Sequence, residues 1–275
     1  MGANNLPSPL MGEGAGGGER DGVAANSTVS LREGKERKSR RGRGQKNRWD
    51  MRYALVPVKD LTQAKARLSP LLSPAERHAL AAAMLDDVLE ALRHVSTLDR
   101  IALVTTDAYA LALAARWGFE VVDEGSGRGE TGAVELAVKV CRERGASSLA
   151  VIPGDIPLLT AADVDCLMRH GIRYEVVIAP SWDSRGTNAV LLRPPDALQL
   201  RFGSWSFFPH VKQAKRRGLS YKVVRLPRLA LDVDTPEDLA RLAPQALGTK
   251  SYTVLEERNI LPRLRERFSP LPPRG

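Results

Sequence analysis

A chain of 275 residues, 43% of them hydrophobic, can form one large domain or two small ones around a sizeable core. No apolar run approaches the ~20 residues that span a bilayer, and the start lacks the apolar centre of a secretory signal, so a cytoplasmic protein with no membrane partner is expected. The net charge of +9 sits mostly at the ends: residues 1–50 hold 10 Lys/Arg against 6 Asp/Glu and residues 248–275 hold 6 against 3, leaving 25 against 23 between them. That near-neutral middle argues against a nucleic-acid-binding fold.

Residues 1–50 are rich in Gly, Ser, Asn and Arg and lack apolar periodicity, so a disordered basic extension is expected. Its run Arg37–Arg43 could touch RNA or acidic lipid, but a solvated tail is the stronger reading. Met51 leads straight into a first strand over Tyr53–Val58, where a globular domain over 51–247 begins. Lys59, Lys65 and Arg67 follow that strand. Three cations there suit a polyanion such as a triphosphate, although Lys and Arg are equally common as plain surface charges. Ser73-Pro74-Ala75-Glu76 has the cap, the proline and the acid of a helix start, and the helix runs to about His94. His78 and His94 are expected on its solvent side.

A second strand over 100–104 exits through Thr105-Thr106-Asp107, and a helix follows that Gly118 closes. After a strand at 119–122 come four glycines in the ten residues 123–132, opening a helix over Ala133–Arg144. Such a loop lets backbone N–H groups approach a nucleotide, but it has neither the Walker A nor the GxGxxG pattern. Cys141 and Cys166 fall in predicted helices without CxxC spacing and are expected to be reduced core residues, while the four histidines show no zinc-ligand spacing.

The stretch Val151-Ile152-Pro153-Gly154-Asp155-Ile156-Pro157-Leu158 ends a buried strand. Gly154 is expected to permit a sharp turn. Asp155 then stands at the carboxyl end of a strand, where open parallel sheets bind their ligands, as a ligand for Mg2+ or as a helix cap. Thr160 or Asp163 caps the helix over 161–170. Four strand–helix alternations predict a three-layer α/β fold, a mostly parallel sheet with helices on both faces. A strand over Val176–Pro180 is followed by the stretch Asp183–Leu192, a turn leading into a strand, whose Asp, Thr and Asn can face a ligand or simply make the turn. Phe202-Gly203-Ser204-Trp205-Ser206-Phe207 opens a helix ending near Gly218, and its donors suit a phosphate. His210, one turn in, packs, caps or faces the same anion. After a strand at 221–224, Asp232 and Asp234 are two apart on an expected strand, so both point to one face. Like charges there repel unless a cation lies among them, which favours a metal site shared with Asp155. Thr235-Pro236-Glu237-Asp238 starts a helix that Asp238 helps to cap. Residues 248–275 are expected as a tail with one short helix over 249–268.

With these motifs assembled, the chain resembles the 2-phospho-L-lactate guanylyltransferase family over roughly residues 51–242. The carriers are Val56-Pro57-Val58-Lys59 with Ala64-Lys65-Ala66-Arg67-Leu68, then Gly154-Asp155-Ile156-Pro157-Leu158 and Gly186-Thr187-Asn188. They continue with Phe202-Gly203 to Ser206-Phe207 with His210, and with Leu231-Asp232-Val233-Asp234-Thr235-Pro236-Glu237-Asp238-Leu239. GDxPL and DxDTPEDL are shared across many nucleotidyltransferases; the GTN and FGxxSF pair is far more specific. The resemblance implies a GT-A-like nucleotidyltransferase fold and guanylyl transfer from GTP to 2-phospho-L-lactate, phosphoenolpyruvate or 3-phosphoglycerate in coenzyme F420 biosynthesis. It implies Mg2+ on Asp155 with Asp232 and Asp234. It also implies an acceptor site at Thr187, Asn188, Gly203, Ser206 and His210, and a triphosphate neutralised by Lys59, Lys65 and Arg67. Nucleotide contacts are implied at Thr106, Gly129, Thr131 and Gly132, where the chain departs from the family by reading Gly129-Glu130-Thr131 in place of Gly-Leu-Asn. A deazaflavin transferase receiving the product is implied as a partner, and a homodimer is a further expectation. The rivals are a molybdenum-cofactor or sugar-nucleotide transferase, disfavoured by Pro57-Val58-Lys59-Asp60 where those enzymes carry a Gly-rich loop, and an inactive nucleotide-binding homologue.

Overall fold

The computed structural model describes residues 50–125, 129–203 and 205–268. In chain order these build β1 (Met51–Pro57), α1 (Pro74–Arg93), β2 (Arg100–Val104), α2 (Ala108–Trp117), β3 (Glu120–Val122), α3 (Gly129–Glu143), β4 (Ala146–Val151) and α4 (Ala161–His170). Then come β5 (Val176–Pro180), β6 (Thr187–Leu192), α5 (Phe207–Arg216), β7 (Tyr221–Val223), α6 (Pro236–Leu242), α7 (Lys250–Glu257) and α8 (Ile260–Phe268). Two 3-10 turns, Leu61–Gln63 and Ala66–Leu68, follow β1. The expected basic extension lies, apart from Asp50, outside the described residues, as do 126–128 of the Gly-rich loop and 269–275.

The seven strands form one sheet in the order β3-β2-β1-β4-β6-β5-β7. Every pairing is parallel except those of β6, which runs antiparallel to both β4 and β5. Side chains alternate across the pleat, so β1 sends Ala54 and Val56 to one face and Tyr53 and Leu55 to the other. The first face packs on α1, α2 and α4, the second on α3 and α5. Burial on both sides explains why Leu149–Ile152, Val176–Pro180 and Ala189–Leu192 read as unbroken apolar runs rather than alternating ones. The three-layer α/β expectation therefore holds.

Local chemistry sets the helix ends as expected. Ser73 Oγ accepts from the Glu76 N–H and Glu76 Oε2 accepts from the Ser73 N–H at 2.7 Å, a closed capping box. Thr235 and Asp238 repeat the device at α6. At α4, Thr160 is the N-cap residue and gives both its N–H and its hydroxyl to Asp163.

Four expectations change. Helix α3 begins at Gly129 (φ +64°), not Ala133, so the glycine-rich stretch supplies its first turn. Gly154 stands in the expected turn, but for a different reason: its backbone is not left-handed, and a Cβ there would lie 3.0 Å from Leu85 Cδ1 of α1. Asp232 and Asp234 lie on an extended segment outside the sheet, because β7 ends at Val223 and the chain then crosses the sheet edge. Residues 250–268 form two helices instead of one, with Asn259 in the left-handed region between them. Their Leu255, Ile260 and Leu264 are buried with Leu68, Leu72, Leu80 and Met84, so α1 serves two cores, one toward the sheet and one toward the C-terminal helices. Among the described residues no helix is long and apolar enough to cross a membrane.

Candidate active site

Strands β1, β4 and β5 end at the same sheet edge, and the reversed β6 begins there. Lys59, Gly154-Asp155, Ser181–Asp183 and Thr187-Asn188 are thereby delivered to one cleft of about 1080 Å³. The loop after β1 adds Lys65 and Arg67, the 201–205 loop adds Phe202, Gly203 and Trp205, and the crossing segment adds Asp232 and Asp234. That segment is tied down by the Val233 N–H to the Asp155 carbonyl at 3.1 Å and the Trp182 N–H to the Ala230 carbonyl at 2.9 Å.

An ion cluster occupies the floor. Lys65 Nζ donates to Asp155 Oδ2 at 2.7 Å and to Asp234 Oδ1 at 2.9 Å, with only 8% of its side chain exposed. Burial disfavours its charge, but the two carboxylates outweigh burial and raise its pKa. Lys65 holds a left-handed backbone (φ +58°), an unfavourable state for a side chain with a Cβ and one that tends to persist at functional sites. Burial pushes the Asp234 carboxyl up, yet Lys65, with Arg67 3.5 Å from its other oxygen, brings it below the usual carboxylate range. Asp232 moves the other way: burial first, then the neighbouring Asp155 charge, raises it to about 6 against the hydrogen bond from Asn188. Asn188 Nδ2 reaches Asp232 Oδ1 at 3.0 Å and the Leu229 and Ala230 carbonyls at 3.2 and 3.0 Å, so it braces the acid-bearing segment.

Among the described residues no group of three or more His, Cys, Asp or Glu side chains is arranged to hold a metal ion, with Lys65 bridging two of the three acids. The chemistry of the donor set nevertheless fits a divalent cation. Asp155 Oδ1 is buried without a hydrogen-bond partner, and crowding with Asp155 raises the Asp232 pKa. Oxygen-only ligands of this kind suit Mg2+.

On the acceptor side, Thr187 and Gly203 line the cleft while Ser206 and His210 stand behind it. Ser206 Oγ accepts the Thr187 N–H at 2.9 Å, and His210 Nδ1 lies 3.0 Å from Thr187 Oγ1. His210, 2% exposed, does not line the cleft; its two ring nitrogens meet Thr187 Oγ1 and the Arg201 N–H instead. Thr106, exposed at the exit of β2, and Gly129, Thr131 and Gly132 in the first turn of α3 belong to the same carboxyl edge of the sheet. Among the described residues the cleft is lined without them. The residues that sequence reasoning passed over are two stacked pairs in the cleft, Arg241 over Trp182 at 3.9 Å and Arg185 over Trp205 at 4.9 Å. Their signal was available: Trp182 and Trp205 are large apolar side chains inside turn-forming sequence, and both are exposed.

A family model described as guanylyl transferase CofC like matches residues 52–264. The chain belongs to the CofC-like guanylyl transferase family. The match takes in α7 and most of α8, in keeping with the burial of those helices. Among similar proteins, the 2-phospho-L-lactate guanylyltransferase of Methanothermobacter thermautotrophicus is 42% identical over 205 residues, 74% of this chain and 89% of that protein. The phosphoenolpyruvate guanylyltransferase of Sphaerobacter thermophilus is 40% identical, over 70% of this chain and 93% of its own length. The 3-phospho-D-glycerate guanylyltransferase of Phenylobacterium zucineum is 33% identical, over 75% and 96%. A solved structure from Desulfovibrio desulfuricans, assigned to the nucleotide-diphospho-sugar transferases, superposes with a TM-score of 0.65 at 19% identity, covering 79% of this chain and 98% of that one. The GT-A-like fold expected of the family is the fold found.

Proposed function

We propose that this member of the family is a Mg2+-dependent guanylyltransferase that joins GMP from GTP to the phosphate of a small phospho-acid and releases pyrophosphate. The reading rests above all on one juxtaposition: the Asp155–Lys65–Asp234 cluster and Thr187, from opposite strand directions, share one cleft. An acceptor phosphate oxygen forms a bond to the α-phosphorus, the bond to the β-phosphate oxygen breaks, and pyrophosphate leaves with that electron pair. The nucleophile is already an anion, so no general base is needed, and the remaining tasks are in-line placement and charge neutralisation. Lys59, Lys65 and Arg67 supply cations for the polyphosphate, and the Thr187 hydroxyl with the backbone near Gly203 holds the acceptor. When bound, Mg2+ on Asp155 with Asp232 and Asp234 supplies further neutralisation of the phosphate oxygens.

The acceptor is a phosphorylated carboxylic acid of the phosphoenolpyruvate, phospholactate and phosphoglycerate class, as supported by the names of the relatives. The product is handed to a deazaflavin transferase in coenzyme F420 biosynthesis. Pyrophosphate release with Mg2+ tests the reading, using GTP or ATP against each acid. Release with GTP and one acid is expected. Release with ATP alone would move the base assignment to Gly129-Glu130-Thr131, and GTP binding without release with any acid would make the chain an inactive homologue.

A further inference from the structure

His210 is buried in the wall behind the cleft, with Phe202 edge-on to its ring at 6.1 Å between centroids. Its two ring nitrogens have different partners. Nε2 lies 3.1 Å from the backbone nitrogen of Arg201, and a backbone N–H can only donate, so Nε2 must accept. A neutral ring that accepts at Nε2 carries its hydrogen on Nδ1. Nδ1 therefore donates to Thr187 Oγ1, 3.0 Å away. That oxygen is occupied as an acceptor, and its own hydrogen is left to point elsewhere. Thr187 lines the cleft, and its N–H is already taken by Ser206 Oγ, which leaves the hydroxyl hydrogen as the donor available to a ligand. The same imidazole anchors Arg201, at the root of the loop that brings Gly203 and Trp205 to the cleft.

We propose that His210 is a positioning residue for the acceptor: fixed as the Nδ1–H tautomer, it fills one acceptor position of the Thr187 hydroxyl, aims that hydroxyl's hydrogen toward an anionic oxygen, and holds Arg201 next to the cleft-lining Phe202 and Gly203. This inference rests on the acceptor reading given above. Burial alone holds the imidazole neutral, which is the state the Arg201 contact requires. In the other neutral tautomer the ring would lose the Arg201 contact and present a bare Nδ1, so that the Thr187 hydroxyl would donate its hydrogen to the ring instead of to a ligand.

The test has two arms on the full-length protein. Long-range 1H–15N NMR of the histidine side chains, without substrate or metal, should show one neutral Nδ1–H ring that disappears in His210→Phe. Steady-state kinetics should show that His210→Phe raises the acceptor KM roughly ten- to hundredfold, the range for one hydrogen bond to a charged group, with the GTP KM unchanged. His210→Asn, whose amide nitrogen can take the Nδ1 position, should recover much of that loss. In a Thr187→Val background the His210→Phe change should add little, because the hydroxyl it orients is gone. A wild-type spectrum without any neutral Nδ1–H ring overturns the role of His210 whether or not the variants fold. Equal rises in both KM values, or full additivity with Thr187→Val, also overturn it, while leaving the guanylyltransferase reading intact. Wild-type protein that turns over none of the acids overturns that reading instead, and the acceptor role of His210 with it.

Discussion

Acidification from pH 7.5 to pH 5 should drain stability through His210, and the structure sets the amount. Burial lowers the imidazole from its ordinary 6.5 to about 4 in the folded protein. The unfolded chain therefore binds the proton first as pH falls. Stability is intact above pH 6.5 and is lost progressively as pH drops toward 4, the window between the unfolded and folded values. Linkage over a drop from 7.5 to 5 comes to about 2 kcal/mol for this one group, or roughly 4–8 °C in Tm for a domain of this size. Asp232 works in the opposite direction: its carboxyl is raised to about 6, so it contributes stability that is present at low pH and lost as pH rises through 6. The wild type alone would thus show a blurred sum. The assay is urea unfolding with chelator at both pH values for the wild type and His210→Phe, because the difference between the two pH responses cancels Asp232. The variant should lose about 2 kcal/mol less than the wild type on acidification. The same loss in both proteins would refute the claim that His210 is buried as a neutral ring.

Asp155→Ala should leave the fold in place, because residue 155 holds Val233 through its carbonyl rather than its side chain, yet reduce turnover by at least about 100-fold; circular dichroism with pyrophosphate release checks this, and near-normal turnover would remove Asp155 from the metal site. Lys65→Met leaves Asp155 and Asp234 without their shared cation, so the metal-free protein should lose about 1–3 kcal/mol, less than a fully buried pair because both acids are partly exposed. Mg2+ should then raise the Tm of the variant more than that of the wild type, and equal shifts would show that Lys65 and the cation do not share a place. Leu255→Ala should cost about 2–5 kcal/mol in urea unfolding, since Leu255 lies fully buried between α7 and the rest of the second core; a loss under 1 kcal/mol would mean that the C-terminal helices are not part of the folding unit. A chain beginning at Met51 should retain turnover, and a loss of turnover without unfolding would assign residues 1–50 a part in the reaction.

Much of the molecule was legible locally. The strands at 53–58, 100–104, 149–152 and 176–180 are apolar runs bounded by turn residues, and the boxes at Ser73–Glu76 and Thr235–Asp238 close over three residues without help from elsewhere. Asp155, Lys65, Arg67, Thr187, Gly203, Asp232 and Asp234 were also legible, and all line one cleft. Position along the chain was not enough for His210, which helical periodicity places one turn into α5 but cannot aim at a ligand or at another side chain. Nor could it show that α7 and α8 bury Leu255, Ile260 and Leu264: their apolar residues are few, and they cover the second face of α1, whose Asp87 holds the Lys250 N–H across 163 residues of chain, a long-range pairing with no local trace.

What the sequence determined by itself was most of the strands and helices and the chemical character of the candidate site, because hydrophobic period, capping and turn chemistry act over a few residues. Tertiary structure alone decided that β6 runs against its neighbours, so that Thr187 opens onto the edge where β4 ends and the turn bearing Asp155 follows. It alone placed Lys65 between two acids that lie 90 and 169 residues away. Those outcomes depend on strand direction and on the balance of burial against charge, which exist only when distant segments share the same small volume.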